Sequence, residues 1–159
     1  MGRNKDAQFD SVMRDNFAAV AAYARSATSR RYIAEEAVQE TFIRAWRYWP
    51  TFRNESSVLS WLITICRRVI IDLVQKDSVV EELPAEIADN HDVYEQSAIQ
   101  ELISHLPLAQ REVVVLCAVL GFDYETAAST LNIPVGTVRS RLARARESLG
   151  KELDNARAV

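Results

Sequence analysis

Hydrophobic residues recur every three or four positions along most of the chain, the spacing of helices that bury one face. Three long helices are predicted in the first half, over about 9–24, 33–49 and 56–76. Their apolar stripes are Phe9, Met13, Phe17, Val20 and Ala24 in the first, Val38, Phe42, Ala45 and Trp49 in the second, and Leu62, Ile65, Val69 and Leu73 in the third. No stretch alternates as a half-buried strand does, so the sequence predicts an all-α fold.

The stretch from Tyr124 to Leu149 predicts two helices joined by a tight turn. Asp123 can cap the first helix, Asn132 suits the left-handed conformation that ends a helix, and Pro134 fits the first turn of the next one. Two helices separated by so few residues must cross at a steep angle. This is the pattern of a helix-turn-helix, which places its second helix in the major groove of DNA.

The polar positions of the second helix divide into two flanks around a buried stripe. The stripe is Val138, Leu142, Ala145 and Leu149; one flank carries Thr137, Ser140, Arg141 and Arg144, and the other carries Arg139 and Arg146. In a groove-bound helix, residues near the N-terminus contact base edges, whereas the other basic residues contact phosphates. Four arginines without an acid between them favour this interpretation. The arginines alone would also fit a solvated helix of a bundle.

The net charge of −3 is unusual for a DNA-binding protein, but the acids are concentrated in one stretch. Seven of the 22 acidic residues lie in 77–95, which has no Lys or Arg: Asp77, Glu81, Glu82, Glu86, Asp89, Asp92 and Glu95. The remaining chain has 19 basic and 15 acidic residues. Pro84 and the lack of an apolar stripe indicate a linker. We therefore expect two domains, 1–76 and 93–159, joined by an acidic linker over 77–92.

A polar loop, TFRNESS, follows the second helix and lies close in sequence to Trp46, Trp49 and Trp61. Aromatic rings beside basic groups bind unpaired bases by stacking and by charge. Tryptophans at helical spacing are also common core residues, so the local pattern leaves both interpretations open.

Other classes of protein have little support in the sequence. No apolar run is long enough for a signal peptide or a membrane span, so we expect a cytoplasmic protein without membrane insertion. Cys66 and Cys117 lack metal-ligand spacing and are expected to be buried, reduced thiols. His91 and His105 are far from any nucleophile motif, and there is no glycine-rich phosphate loop, so we expect no enzyme, metal or cofactor.

Three segments together resemble the extracytoplasmic-function (ECF) sigma factors, two-domain bacterial promoter-recognition subunits. They are AEEAVQETFIRAW, FRNESSVLSWLITICRRVIIDLV and LPLAQREVVVLCAVLGFDYETAASTLNIPVGTVRSRLARARESL. They occur in the order and spacing of a minimal sigma factor. The resemblance implies a factor that binds core RNA polymerase, recognises the minus 35 and minus 10 promoter elements, and promotes melting. The alternatives are a stand-alone helix-turn-helix regulator and a helical scaffold that binds no nucleic acid.

The resemblance also implies roles for individual residues. VQETF is similar to the segment that docks on core polymerase, which implies contacts by Glu36, Gln39, Glu40 and Arg44. FRNESS is similar to the loop that captures a flipped base of single-stranded minus 10 DNA, and the next helix would follow the same strand. The implied residues are Phe52, Arg53, Asn54, Glu55, Ser56, Trp61, Thr64, Arg67 and Arg68. Family members often have Asn at the position of Arg68, so the minus 10 preference need not follow that of relatives.

In the C-terminal domain the resemblance implies contacts with duplex minus 35 DNA. The implied residues are Pro134, Thr137, Arg139, Ser140, Arg141, Arg144 and Arg146. The acidic linker resembles the segment that enters the polymerase cleft, where its charge would mimic nucleic acid. Relatives are often held inactive by an anti-sigma factor, so such a partner is expected too.

Overall fold

The structure, a computed structural model, describes residues 2–80 and 98–159. Within these two ranges all regular structure is helical, which confirms the all-α prediction. The linker and its charge mimicry fall almost entirely outside the described residues. Asp77 is the one acid of the stretch that is described: it lies in the third helix, where its carboxylate accepts hydrogen bonds from Arg30 and Tyr32.

The N-terminal domain is a bundle of three helices, α1 (Gly2–Ala27), α2 (Arg31–Tyr48) and α3 (Val58–Val80). A 3₁₀ turn that contains Pro50 follows α2. The Ser57 hydroxyl accepts from the Ser60 N–H at 3.1 Å and so caps α3, as predicted. The helix continues four residues beyond Lys76. Leu62, Ile63 and Val69 of α3 lie in the centre of the bundle.

The C-terminal domain comprises α4 (Ala98–Ser104), α5 (Leu108–Val114), α6 (Tyr124–Leu131) and α7 (Val135–Arg157), with a π-helical turn, Val115–Val119, after α5. The Asp123 carboxylate accepts from the Thr126 N–H at 2.6 Å, and Asn132 is left-handed at φ 54° and ψ 49°. Both predictions are confirmed. Pro134 precedes the first turn of α7 instead of lying in it: its carbonyl accepts from the Thr137 N–H at 2.9 Å.

One part of the predicted α1 core is wrong. Phe17 is 51% exposed and stacks on the ring of Phe42, with ring centroids 5.8 Å apart. Tyr23, which is not part of the predicted stripe, is fully buried. The C-terminal half of α1 packs on α5 of the other domain, so this helix buries a second face that the period of one stripe could not reveal.

The two domains pack against each other, and their buried side chains form one continuous hydrophobic core. At the interface Glu112 of α5 is only 7% exposed. Its Oε1 accepts from the Tyr23 hydroxyl at 2.8 Å and from Nε of Arg67 at 3.1 Å. We call these three residues the Glu112 cluster. It joins one carboxylate of the C-terminal domain to α1 and α3 of the N-terminal domain.

Two further polar contacts cross the interface. The hydroxyls of Ser60 on α3 and Thr130 on α6 are 2.9 Å apart. Arg111 donates to the carbonyl of Ser26, in the last turn of α1, at 2.9 Å. Its other terminal nitrogen donates to the carbonyl of Leu106 at 2.8 Å. The domains are thus related to each other by specific hydrogen bonds as well as by apolar packing.

Candidate nucleic-acid and polymerase interface

The polar face of α2 lies on the surface, as the sequence predicts. Glu36 and Gln39 are exposed, and Glu40 and Arg44 are half-buried. Nε of Arg44 donates to Glu40 at 2.7 Å, and the same guanidinium lies 3.8 Å from Asp72 of α3. Two of the four predicted contact residues therefore pair with each other.

Two apolar side chains on the same side of α2 are exposed and were not predicted as contact residues. Ile43 is 47% exposed and Trp46 is 54% exposed. At about 100° per residue, Ile43 lies between Gln39 and Glu40 on the helical wheel. Trp46 is near Gln39, and its indole N–H donates to Asp6 at 3.3 Å. The hydrophobic pattern alone assigns such apolar residues to the core, so the sequence does not reveal that they are exposed.

The loop after α2 is built around a row of aromatic rings. The ring of Phe52 stacks on that of Trp49, with ring centroids 5.5 Å apart and ring planes 13° apart. On its other side, the centroid of Phe52 lies 4.9 Å from that of Trp61. Beyond them Trp49 contacts Phe9 at 5.9 Å. Trp46 and Tyr48 do not join this row. One end of the row is therefore anchored in the bundle, and Phe52 and Trp61 form the other end.

That outer end forms an open pocket of about 210 Å³. Its lining residues are Thr51, Phe52, Arg53, Glu55, Ser56 and Trp61. Four of the five predicted loop residues thus converge on one pocket. The fifth, Asn54, has a left-handed backbone at φ 56° and lies at the start of a bend in the loop.

The predicted residues further along α3 have different environments. The Thr64 hydroxyl donates to the carbonyl of Ser60 at 2.9 Å, and Arg68 is exposed. Arg67 instead belongs to the Glu112 cluster, so in this conformation its guanidinium is paired with a carboxylate of the other domain. The sequence could not show this contact, because the partners are 45 positions apart and in different domains.

The first predicted flank of α7 is accessible at the protein surface. Ser140 and Arg144 are exposed, whereas Thr137 and Arg141 are half-buried. The Ser140 hydroxyl donates to the carbonyl of Thr137 at 3.1 Å. Within 2–80 and 98–159, neither Arg141 nor Arg144 has an acidic partner within 4.0 Å. This flank therefore presents positive charge that is not neutralised by the described part of the chain.

Arg139 and Arg146, on the second flank, border a groove of about 630 Å³ that also includes Asp123 and Cys117. Cys117 is only half-buried, which corrects the prediction of a buried thiol. Burial and the negative charge of Asp123 raise the pKa of the Cys117 thiol, and the positive charge of Arg146 partly offsets this rise. Cys66 is buried as predicted, and burial raises its pKa to about 11.

The structure was also searched for groups of metal-ligating side chains and for membrane-spanning helices. No group of three or more metal-ligating side chains is found in residues 2–80 and 98–159. In the same residues, no helix is both long and apolar enough to cross a bilayer.

Comparison with known proteins identifies the class of protein that has this fold and these surfaces. Residues 12–79 match the family model of sigma-70 region 2, and residues 96–149 match that of sigma-70 region 4. The matches correspond to the three-helix bundle and to the domain that contains the helix-turn-helix. The chain is thus a transcription initiation factor of the sigma-70 type, a family of regulatory factors and not of enzymes.

The relatives define the branch of the family. The ECF RNA polymerase sigma factor SigC of Mycobacterium tuberculosis is 34% identical over 128 residues, which cover 73% of this chain and 68% of SigC. The ECF sigma factor EcfG of Rhodopseudomonas palustris is 33% identical over 153 residues, covering 88% and 83%. The chain therefore belongs to the ECF sigma factors.

A solved structure shares the arrangement of the helices. The sigma factor RpoE, in complex with the anti-sigma factor NepR from Bartonella quintana, superposes with a TM-score of 0.77 at 29% identity. The superposition covers 92% of this chain and 97% of RpoE. Because so much of the chain is included, the likeness extends over both domains.

The left-handed backbone of Asn54 gives a prediction about the loop. Asn54→Ala should lower the free energy of unfolding by about 1 kcal/mol, because a left-handed conformation is costly for a residue with a Cβ and no local hydrogen bond. Asn54→Gly should stay within about 0.5 kcal/mol of the parent chain, since glycine adopts this conformation freely. Urea denaturation of both variants measures the difference. Equal values for the two variants would contradict it.

Proposed function

We propose that this ECF sigma factor binds core RNA polymerase through α2, binds duplex minus 35 DNA through α7, and holds unpaired minus 10 DNA in the aromatic pocket. The observation that carries the proposal is the chemical difference between the two DNA surfaces. One is a helix with unneutralised arginines, which suits phosphates and base edges. The other is an open pocket with aromatic walls, which suits a base removed from its stack.

The minus 35 contact is assigned to the first flank of α7. Residues at the N-terminal end of such a helix contact base edges, so Thr137, Ser140 and Arg141 are the candidates for sequence recognition. Pro134 fixes where the helix begins. Arginine forms two parallel hydrogen bonds with guanine, and this contact distinguishes it from other bases in the major groove. Arg139, Arg144 and Arg146 are assigned to phosphates or to the edge of the groove.

The minus 10 contact is assigned to the aromatic pocket and to the surface of α3 beside it. Extruding a base from duplex DNA costs a few kcal/mol, which a pocket must offset. Stacking on an aromatic side chain contributes about 1–3 kcal/mol per base, so Phe52 and Trp61 together are of the required order. Arg53 and Arg68 are exposed and available to the adjacent phosphates. Binding energy at this site would thereby favour the melted state.

The polymerase contact is assigned to the polar face of α2 together with the exposed Ile43 and Trp46. Tryptophan and arginine are the residues that most often dominate binding energy at protein interfaces, particularly near the centre of a contact patch. Glu36 and Gln39 would then supply polar contacts around an apolar centre.

We also propose an anti-sigma factor as a partner, because RpoE was solved in complex with one. A stand-alone helix-turn-helix regulator is the alternative. It would need only the C-terminal domain, and it would not account for the match of residues 12–79 to sigma-70 region 2.

Transcription with purified core polymerase tests the proposed function. Adding the chain should produce RNA from a subset of templates in a random promoter library, whereas core polymerase alone should not. Sequencing the templates that are transcribed would give both promoter elements. Absence of promoter-dependent RNA from the entire library would show that the proposed function is wrong.

Phe52 should act at the melting step. Phe52→Ala should weaken formation of the open complex by about 1–3 kcal/mol on duplex promoters, because one stacking surface is lost. Most of the activity should return on a template whose minus 10 region is already unpaired. Permanganate footprinting measures opening of the duplex promoter, and the amount of RNA made from each template measures the activity. Tyr48→Ala is the matched control, since Tyr48 is exposed and does not line the pocket. An equal defect on both templates would argue against a role in melting.

The effect on DNA binding of replacing Arg141 or Arg144 should depend on whether the residue contacts a base or a phosphate. Replacing a residue that contacts a base should cost roughly 1–3 kcal/mol and relax the preference at one minus 35 position, whereas loss of a phosphate contact weakens all sequences about equally. Binding of Arg141→Ala and Arg144→Ala to a set of single-base minus 35 variants separates the two cases. Arg157→Ala, at the far end of α7, is the control and should bind like the parent chain. If both variants bind minus 35 DNA with the preference and affinity of the parent chain, the first flank of α7 does not contact this DNA.

A further inference from the structure

We propose that Lys5, near the start of α1, is a further DNA-binding residue, which contacts a phosphate of the promoter strand beside the base held in the aromatic pocket. Lys5 precedes residues 12–79, the part of the chain that matches sigma-70 region 2. The inference rests on the proposed function, which places unpaired minus 10 DNA in this pocket. It adds a contact with the strand outside the pocket.

Lys5 lies at the end of the bundle where the pocket opens. The ring of Trp49 is 5.9 Å from that of Phe9 on α1 and 5.5 Å from that of Phe52 in the pocket. Lys5 precedes Phe9 by one helical turn, a rise of about 6 Å. A strand that leaves the pocket advances by at least about 3.4 Å per nucleotide, so about five nucleotides span the distance to Lys5.

Lys5 lies on the side of α1 that faces α3. At about 100° per residue, Lys5 and Tyr23 are five whole turns apart and share one side of α1. The Tyr23 hydroxyl and Nε of Arg67, on α3, donate to the same carboxylate. Asp6, in contrast, faces α2, where the indole N–H of Trp46 donates to it. Lys5 is therefore turned toward the helix whose first turns form one wall of the pocket, and the neighbouring acid is turned away.

The charges around the pocket leave room for a further cation. Arg53 and Glu55, which both line it, carry opposite charges and together attract the DNA backbone only weakly. Lys5 is exposed, and no acidic group within 2–80 and 98–159 lies within 4.0 Å of its ammonium. The residues three and four positions further along the helix, Gln8 and Phe9, are uncharged, so no intrahelical ion pair competes. The charge of Lys5 is thus available to a phosphate.

The chemistry of lysine fits a phosphate better than a base at this place. Its ammonium is a compact charge on a flexible stem, which can follow a mobile single strand without the fixed geometry that a guanidinium imposes. Contacts with phosphates position the strand but carry no sequence information. Lys5 should therefore add affinity for the strand and leave the preference among minus 10 sequences unchanged.

The salt dependence of strand binding tests the proposal. The chain is assembled on core polymerase, and fluorescence anisotropy measures binding of a labelled minus 10 single strand, with core polymerase alone as the background. Lys5→Ala should lower the affinity roughly fivefold at 0.1 M salt and make the slope of log affinity against log salt less steep by about 0.7. Alanine is a good helix former, so α1 should be retained. Parent-like affinity and slope would overturn the proposal.

Two further variants control for structure and for net charge. Lys5→Arg keeps the positive charge and should keep the affinity and the slope of the parent chain. Lys76→Ala makes the same change at an exposed position of the opposite end of the bundle, next to Asp77, which Arg30 binds. It should bind like the parent chain. An equal loss in Lys76→Ala and Lys5→Ala would show that net charge, and not the position of Lys5, determines the affinity.

Strand length locates the contact. On one side of the captured base, extending the strand by about five nucleotides should raise the affinity of the parent chain, because the added phosphates reach Lys5. Lys5→Ala should lack this gain, and Lys5→Arg should keep it. An equal gain in the parent chain and in Lys5→Ala would place the contact elsewhere on the protein.

Phe52→Ala separates failure of this inference from failure of the proposed function. If Phe52→Ala weakens strand binding and Lys5→Ala does not, the pocket binds the strand and only the Lys5 contact is wrong. If the parent chain adds no strand binding to that of core polymerase alone, the proposed minus 10 function is wrong, and the Lys5 contact is wrong with it.

Discussion

The buried carboxylate of Glu112 is the constraint on which the relation between the two domains depends. Burying an ionised carboxylate costs several kcal/mol unless its oxygens are hydrogen-bonded and its charge is compensated. Here Tyr23 and Arg67, both from the N-terminal domain, meet this requirement. Burial, and then the charge of Glu112, raises the pKa of Tyr23 well above its usual value, so the phenol remains a donor. The C-terminal domain cannot shift without leaving Glu112 unpaired or returning it to water.

The two DNA surfaces depend on simpler local rules. The small residues Ala127 and Ala128 are buried and let α7 cross α6 closely, while the left-handed Asn132 reverses the chain between them. These features fix the direction of α7, and the helical period then assigns its arginines to two flanks. In the N-terminal domain a 3₁₀ turn and the left-handed Asn54 set the path of the polar loop, whose residues line one pocket with Phe52 and Trp61. Each surface is thus set by a few residues next to it in sequence.

This difference between local and distant causes explains what the sequence could predict. The caps at Ser57 and Asp123, the left-handed Asn132 and the flanks of α7 depend on neighbours within one or two turns, and a single sequence contains that information. The burial of Tyr23 and the pairing of Arg67 depend on the other domain. Helical periodicity describes one buried face per helix, so it has no means of assigning a second face to α1 or a distant partner to α3.

The polar contacts between the domains also indicate how strongly the two domains are held together. A hydrogen bond that is exchanged for water contributes about 0.5–1.5 kcal/mol, and one to a charged group about 1.5–3 kcal/mol. Three of the four contacts that join the domains involve a charged group, so the four together contribute roughly 5–10 kcal/mol. Burial of the shared hydrophobic core adds to this.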